Sequence, residues 1–142
     1  MRIPDARGDT GRARGEGGLG LLSSPFFVWQ RYRCYALQNA DYLLGRNATG
    51  YCFVTGFGDK SPQHPHHRPS AADNIPAPFP GMLVGGPNPG QQDKREMKVP
   101  YPSNCPDESY IDNTDSYSSN EIAINWNASL VAFLCWLDAL GG

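Results

Sequence analysis

Between Phe26 and Leu44, apolar residues return at steps of three and four. Trp29, Tyr32, Ala36, Ala40 and Leu43 share one helical face, with Arg31, Arg33, Gln38 and Asp41 largely off it. Pro25 suits the first turn of this helix, and Gly45 suits the left-handed position beyond its last. A second helix is expected from about Ser119 to Leu140, on the stripe Ile122, Trp126, Leu130, Phe133, Leu137 and Leu140. Val131, Leu134 and Trp136 widen that stripe nearly all round, and only Asp138 carries charge after Glu121. A helix apolar on most sides belongs in an interior, and the rest of the chain offers few elements to cover it.

The stretches between these helices have a different texture. Asn47 to Gly58 is punctuated by glycine and reads as a short extended segment or a loop rim. Asn47-Ala48-Thr49 is a formal N-glycosylation acceptor. From Asp59 to Pro102, eight prolines from Pro62 to Pro89 exclude long helices. An irregular run of that length inside a domain usually builds a functional surface. Gly85 to Gly90 is turn chemistry, and it lacks the Lys-Ser/Thr of a phosphate loop. Met1 to Ser24 is rich in Arg and Gly and is expected to be disordered or outside the fold. Asp5, Asp9 and Glu16 dilute its charge, which argues against an RNA-binding tail.

Composition narrows the function classes. The 142 residues allow one ordinary domain, and 16 glycines with 13 prolines make much of it irregular. A net charge of −2 favours neither nucleic acid nor an anionic membrane as partner. No apolar run is long enough for a bilayer, and Met1 does not open a signal peptide. Cys34, Cys52, Cys105 and Cys135 form no CxxC pair, so a zinc knuckle is not expected; free thiols and up to two disulfides both remain open.

Two clusters carry candidate chemistry. Tyr110 to Ala128, YIDNTDSYSSNEIAINWNA, holds Asp112, Tyr117 and Glu121 at the mouth of the apolar helix. Ser118-x-x-Glu121 is a formal capping box, so Glu121 has a purely structural reading. A carboxyl beside apolar surroundings also suits a general acid, since desolvation favours its protonated form. Asp112 reads equally as a solvated turn residue. Tyr110 and Tyr117 suit either packing or stacking on a sugar. The second cluster, His64 to Arg68 (HPHHR), holds all three histidines. His64 and His66 would point the same way on an extended backbone, but no acid or thiol at ligand spacing completes a metal site. Hydrogen bonding to ligand hydroxyls by His66, with Arg68 as a fixed charged fork, is the other reading, beside a plain polar loop.

TGFGDKSPQHPHHRPS (Thr55 to Ser70) and YIDNTDSYSSNEIAINWNAS (Tyr110 to Ser129) resemble the two signature regions of glycoside hydrolase family 9. Ala40 to Gly58 and LVGGPNPGQQD (Leu83 to Asp93) look like the same family, so the resemblance runs from about Phe26 to Leu140. It implies a mainly α fold, the carboxy-terminal portion of an (α/α)6 barrel with long Pro/Gly-rich loops. It implies inverting cleavage of β-1,4-glucosidic bonds in cellulose or related β-glucans. On the matching positions, Glu121 is the proton donor, Asp112 an acidic active-site residue and His66 the active-site histidine. Arg68 and Tyr117 would bind substrate. Cys52 stands where the pattern expects Ser, Thr or Val.

An inverting glycosidase also needs a second carboxylate to activate water. The family carries it in an Asp-Ala-Gly-Asp segment that this sequence lacks. Two long helices are also far short of a barrel. The expectation is therefore a carboxy-terminal fragment: residues 1–24 outside the family, and residues 25–142 part of a catalytic domain. No cofactor is expected, although calcium can sit near the site in the intact enzyme, with Asp73, Asp93 and Asp115 unranked as ligands. The intact enzyme would be secreted. The competing expectation is a non-catalytic carbohydrate-binding or structural remnant.

Overall fold

The computed structural model describes residues 25–141. The expected disordered segment, Met1 to Ser24, lies outside them. Helix α1 spans Pro25–Leu43, close to the expected limits. One compact unit ends at Ala36 and a second begins at Leu37, within α1. Beyond α1 come the short helix α2 (Arg68–Ala72), a 3-10 turn at Pro106–Glu108, the single-turn helix α3 (Tyr117–Asn120) and the long helix α4 (Ile124–Gly141).

The end of α1 follows the expected chemistry. Gly45 has φ +118, the Arg46 N–H reaches the Asp41 carbonyl at 2.8 Å, and the Gly45 N–H reaches the Tyr42 carbonyl at 3.4 Å. These two bonds form a Schellman stop. On the apolar stripe Ala40 is buried, and Tyr32 is 64% exposed. Asn47 then closes the following loop. Its Nδ2 donates to the carbonyls of Tyr42 (2.7 Å) and Tyr51 (2.8 Å), so glycosylation there, which replaces one of the two N–H groups, would have to break at least one of these bonds.

The described residues contain no strand, only three isolated backbone bridges. Val54 pairs with Leu83 and Val84 with Ile122, both antiparallel, and His66 pairs with Glu121 in parallel. Together they make a narrow lattice running from 53–55 through 82–86 to 119–122 and on to 66. Two small cores flank it. Cys52, Val54 and Leu130 pack with Leu43 and Leu83; Phe53, Val84 and Tyr110 pack with Tyr51, Leu83 and Ile122. Phe53 and Tyr110 meet edge to face at 5.2 Å between ring centres.

The second long helix starts at Ile124, not at Ser119. The lattice explains the difference. Glu121 is extended (φ −72, ψ 147), because its carbonyl accepts from Gly85 and that of Asn120 accepts from His66. A helix through these residues would forfeit both bonds. Helix α4 is apolar on most sides, yet only Leu130 among its described residues is buried. Val131 (62%), Trp136 (46%) and Leu134 (38%) stay exposed. An apolar groove of about 460 Å³ separates it from the end of α1, lined by Asn39, Leu43, Leu83, Trp126, Leu130 and Phe133, among others.

Asn127 fastens α4 to the lattice. Its Oδ1 accepts the Leu83 N–H at 2.8 Å, and its Nδ2 donates to the Leu83 carbonyl at 3.2 Å and to Ala123 at 2.9 Å. The amide thus imitates a neighbouring strand. Asn127→Ala leaves both Leu83 groups unpaired and is expected to lower unfolding free energy by about 1–3 kcal/mol in a urea titration. An unchanged midpoint would contradict this role.

Candidate active site

The two clusters meet through main chain. The His66 N–H donates to the Asn120 carbonyl at 2.8 Å, which sets His66 beside Glu121. Gly85 and Gly86 approach the same segment, donating to Glu121 and Ser119. A Cβ on Gly85 would come within 3.3 Å of both the Ser119 carbonyl oxygen and the Trp126 ring, so a larger residue would push the lattice apart.

Glu121 is the C-cap of α3 and is exposed. Its carboxylate makes no hydrogen bond among the described residues, and it stands three residues ahead of α4. The capping-box reading is therefore corrected. Ser118 Oγ accepts the Asp93 N–H, and Glu121 closes no helix start.

His66 is half-buried. Its Nδ1–H donates to the Thr114 carbonyl, the tautomer that a carbonyl acceptor requires, and this leaves Nε2 for other partners. The Tyr117 ring stands 6.4 Å away at 67°. Tyr117 is exposed; desolvation, and then the negative charges of Glu96 and Asp93, push its hydroxyl above the ordinary phenol range, so it remains a donor. Arg68 opens α2, two residues beyond His66, and is exposed. His67 caps α2 through Nδ1, which accepts the Ser70 N–H at 3.4 Å.

Asp112 is half-buried and its oxygens are occupied. Oδ2 accepts the Gln63 N–H at 2.8 Å; Oδ1 accepts the His64 N–H at 2.8 Å and Asn120 Nδ2 at 3.1 Å. The carboxylate thus clamps the histidine loop onto the second signature. It is a strong acceptor for backbone N–H groups, and three of its acceptor positions are engaged.

Sequence reasoning missed two hubs. Asn120 is fully buried: Nδ2 donates to the His64 carbonyl at 2.7 Å, and Oδ1 accepts the Tyr110 hydroxyl at 2.7 Å. Burial, then the charges of Asp112 and Tyr51, push that hydroxyl far above its ordinary range, so it is a permanent donor. Asp93, also fully buried, accepts from Tyr101 (2.8 Å), Ser116 (2.9 Å) and the Ser118 N–H (2.8 Å). Burial works against its ionisation, but bonds from the Ser118 N–H, Tyr101, Ser116 and Ser118 outweigh it and hold the carboxyl below the usual range. A folded value below the unfolded one gives stability that is present at neutral pH and lost as pH falls through the lower value. Neither hub stands out locally, since Asp93 lies among Gln92 and Lys94, and Asn120 between Ser119 and Glu121.

Among the described residues, no group of three or more His, Cys, Asp or Glu side chains converges as a metal site. Asp93 faces three donors, a poor setting for calcium. Its four cysteines are free thiols, with Cys52 buried. No helix among the described residues is long and apolar enough to cross a membrane.

Comparison with known proteins shows the family. Glycosyl hydrolase family 9 matches residues 19–134, and the chain belongs to that family. It is 64% identical over 109 residues to the xyloglucan-specific endo-beta-1,4-glucanase BoGH9A of Bacteroides ovatus, covering 77% of this chain and 18% of the relative. It is 46% identical over 100 residues to a cellodextrinase of Butyrivibrio fibrisolvens, covering 70% and 18%. Among solved structures, a Bacteroides ovatus family 9 protein superposes with TM-score 0.69 at 52% identity, over 88% of this chain and 20% of that one. A single mutant of a thermostable endoglucanase from Alicyclobacillus acidocaldarius gives 0.66 at 44%, over 84% and 21%. The chain thus spans about a fifth of the length of such relatives.

Proposed function

We propose that this chain supplies the proton-donor half of an inverting β-glucan hydrolase, within an (α/α)6 barrel of which it is the carboxy-terminal portion. Residues 25–142 belong to that catalytic domain, which takes in the residues from 19, where the family match begins; those before them stand outside it. The observation that carries the reading is Glu121: an exposed carboxyl with no hydrogen-bond partner among the described residues, held by backbone beside His66, whose ring faces Tyr117. Cleavage of a glucosidic bond requires protonation of the departing oxygen, and Glu121 donates that proton. The free Nε2 of His66, the Arg68 guanidinium and the Tyr117 ring hold the flanking glucosyl units, since imidazole and guanidinium bond hydroxyls and an aromatic face covers the C–H side of a pyranose. Asp112 belongs to the same site and keeps the histidine loop in place.

Inversion needs a second carboxylate about 6.5–9.5 Å from the acid, with room for water. Asp112 and Asp93 already accept several hydrogen bonds each, which favours a base from outside these residues. No cofactor takes part. The complete enzyme acts outside the cell, on β-glucan and not on nucleic acid or membrane.

The test is a chimera: the whole chain in place of the segment it matches in the Bacteroides ovatus relative. Hydrolysis of xyloglucan and other β-glucans by the chimera, with none by the isolated chain, is expected in a reducing-sugar assay. An inert chimera that folds would favour the non-catalytic carbohydrate-binding or structural reading.

A further inference from the structure

We propose that Asp93 is a positioning residue for Glu121, an inference that rests on the proton-donor reading above. Helix α3 is a single turn, Tyr117 to Asn120, and its N-cap Ser116 makes no side-chain capping bond. Orphan N–H groups at a helix start need an acceptor. Asp93 supplies it from a distant loop: Oδ2 takes the Ser118 N–H at 2.8 Å and the Ser116 hydroxyl at 2.9 Å. Oδ1 takes the Tyr101 hydroxyl at 2.8 Å, and the Asp93 N–H returns a bond to Ser118 Oγ at 3.2 Å. Ser119 Oγ joins Ser116 at 2.9 Å and accepts the Ile111 N–H at 3.3 Å.

The far end of the turn is anchored separately. Ser119, Asn120 and Glu121 offer their carbonyls to Gly86, His66 and Gly85. One rigid turn is thus held at its start by a buried anion and at its exit by the lattice, and Glu121 is its C-cap. Removing the anion frees the start, and the carboxyl at the exit loses its aim. The anion itself never reaches the substrate, since Asp93 is fully buried.

Leaving-group chemistry separates aim from bulk stability. An alkoxide departs from a cello-oligosaccharide only with a proton, whereas dinitrophenolate departs without one. In the chimera carrying the whole chain, Asp93→Ala is expected to lower kcat on cello-oligosaccharides by about 10- to 100-fold, a large part of what a general acid contributes. On dinitrophenyl cellobioside, where no such contribution is needed, it changes kcat by less than about twofold. Asp93→Asn, whose amide oxygen still accepts from Ser118, is expected to recover most but not all of the loss; if the alanine variant does not fold, it carries the test through its residual loss, which falls on cello-oligosaccharides alone. Equal losses on both substrates, or no loss on either, overturn the proposal. Glu121→Gln is the control: if that variant shows no preference for the activated substrate, the proton-donor reading itself fails, whatever Asp93 does.

Discussion

Glu121→Gln in the chimera should abolish turnover of unactivated β-glucans while leaving the fold untouched. The loss is expected at about 10²–10⁴ in kcat, the contribution of a general acid. Glutamine keeps the shape but cannot give up a proton. The stability half of the prediction is as informative as the activity half. Were Glu121 a capping residue, its replacement would cost roughly 1 kcal/mol. The carboxylate is exposed and takes no hydrogen bond from the described residues, so the change in unfolding free energy should stay within about ±0.5 kcal/mol. Steady-state kinetics and a thermal melt on the same preparation separate the two. Full activity with a lowered melting temperature would return Glu121 to a structural role.

That prediction also shows where sequence reasoning stops. Ser118-x-x-Glu121 satisfies the letter of a capping box, and the apolar stripe beginning at Ile122 extends the helix back over it. Neither pattern contains the backbone of residues 84–86, which pairs with 119–122 and forces Glu121 into extended geometry. Non-local pairing overrode a local signal. Helix α1 shows the opposite case: Pro25 and Gly45 act within one turn of the residues they govern, and its limits were readable. The signatures brought His66 and Glu121 forward as residue types, and the fold supplies their adjacency. Asp93 was invisible as a hub because its donors come from Tyr101, Ser116 and Ser118, across a proline-rich loop with no periodicity. The largely apolar character of α4 was legible, but its coverage was not. The groove beside Leu130 and Phe133 and the exposed Val131 and Trp136 show how much of that surface the described residues leave bare.

Asn120→Asp is expected to be the most damaging near-isosteric change in the chain, and one that acid partly reverses. Asn120 Nδ2 donates to the His64 carbonyl and to Asp112 Oδ1 at 3.1 Å. An ionised aspartate has no donor to offer there. It would set a buried carboxylate against the half-buried one of Asp112 and leave the His64 carbonyl unpaired. Breaking a buried charged arrangement in this way costs about 3–5 kcal/mol, enough to free the histidine loop from Glu121. The new carboxyl would take up a proton far more readily in the folded state than in the unfolded chain, because both Asp112 and burial disfavour its charge. Its folded pKa therefore lies above its unfolded one, and the penalty shrinks as pH falls through the folded value. When protonated, it can donate to Asp112 or to the His64 carbonyl, while the Tyr110 hydroxyl still donates to its other oxygen. Stability of the variant should thus rise on mild acidification, the reverse of the trend that Asp93 imposes. Urea titrations of both proteins across the acid range check this. Parallel pH profiles would show that the Asn120 amide does not bridge the two signatures.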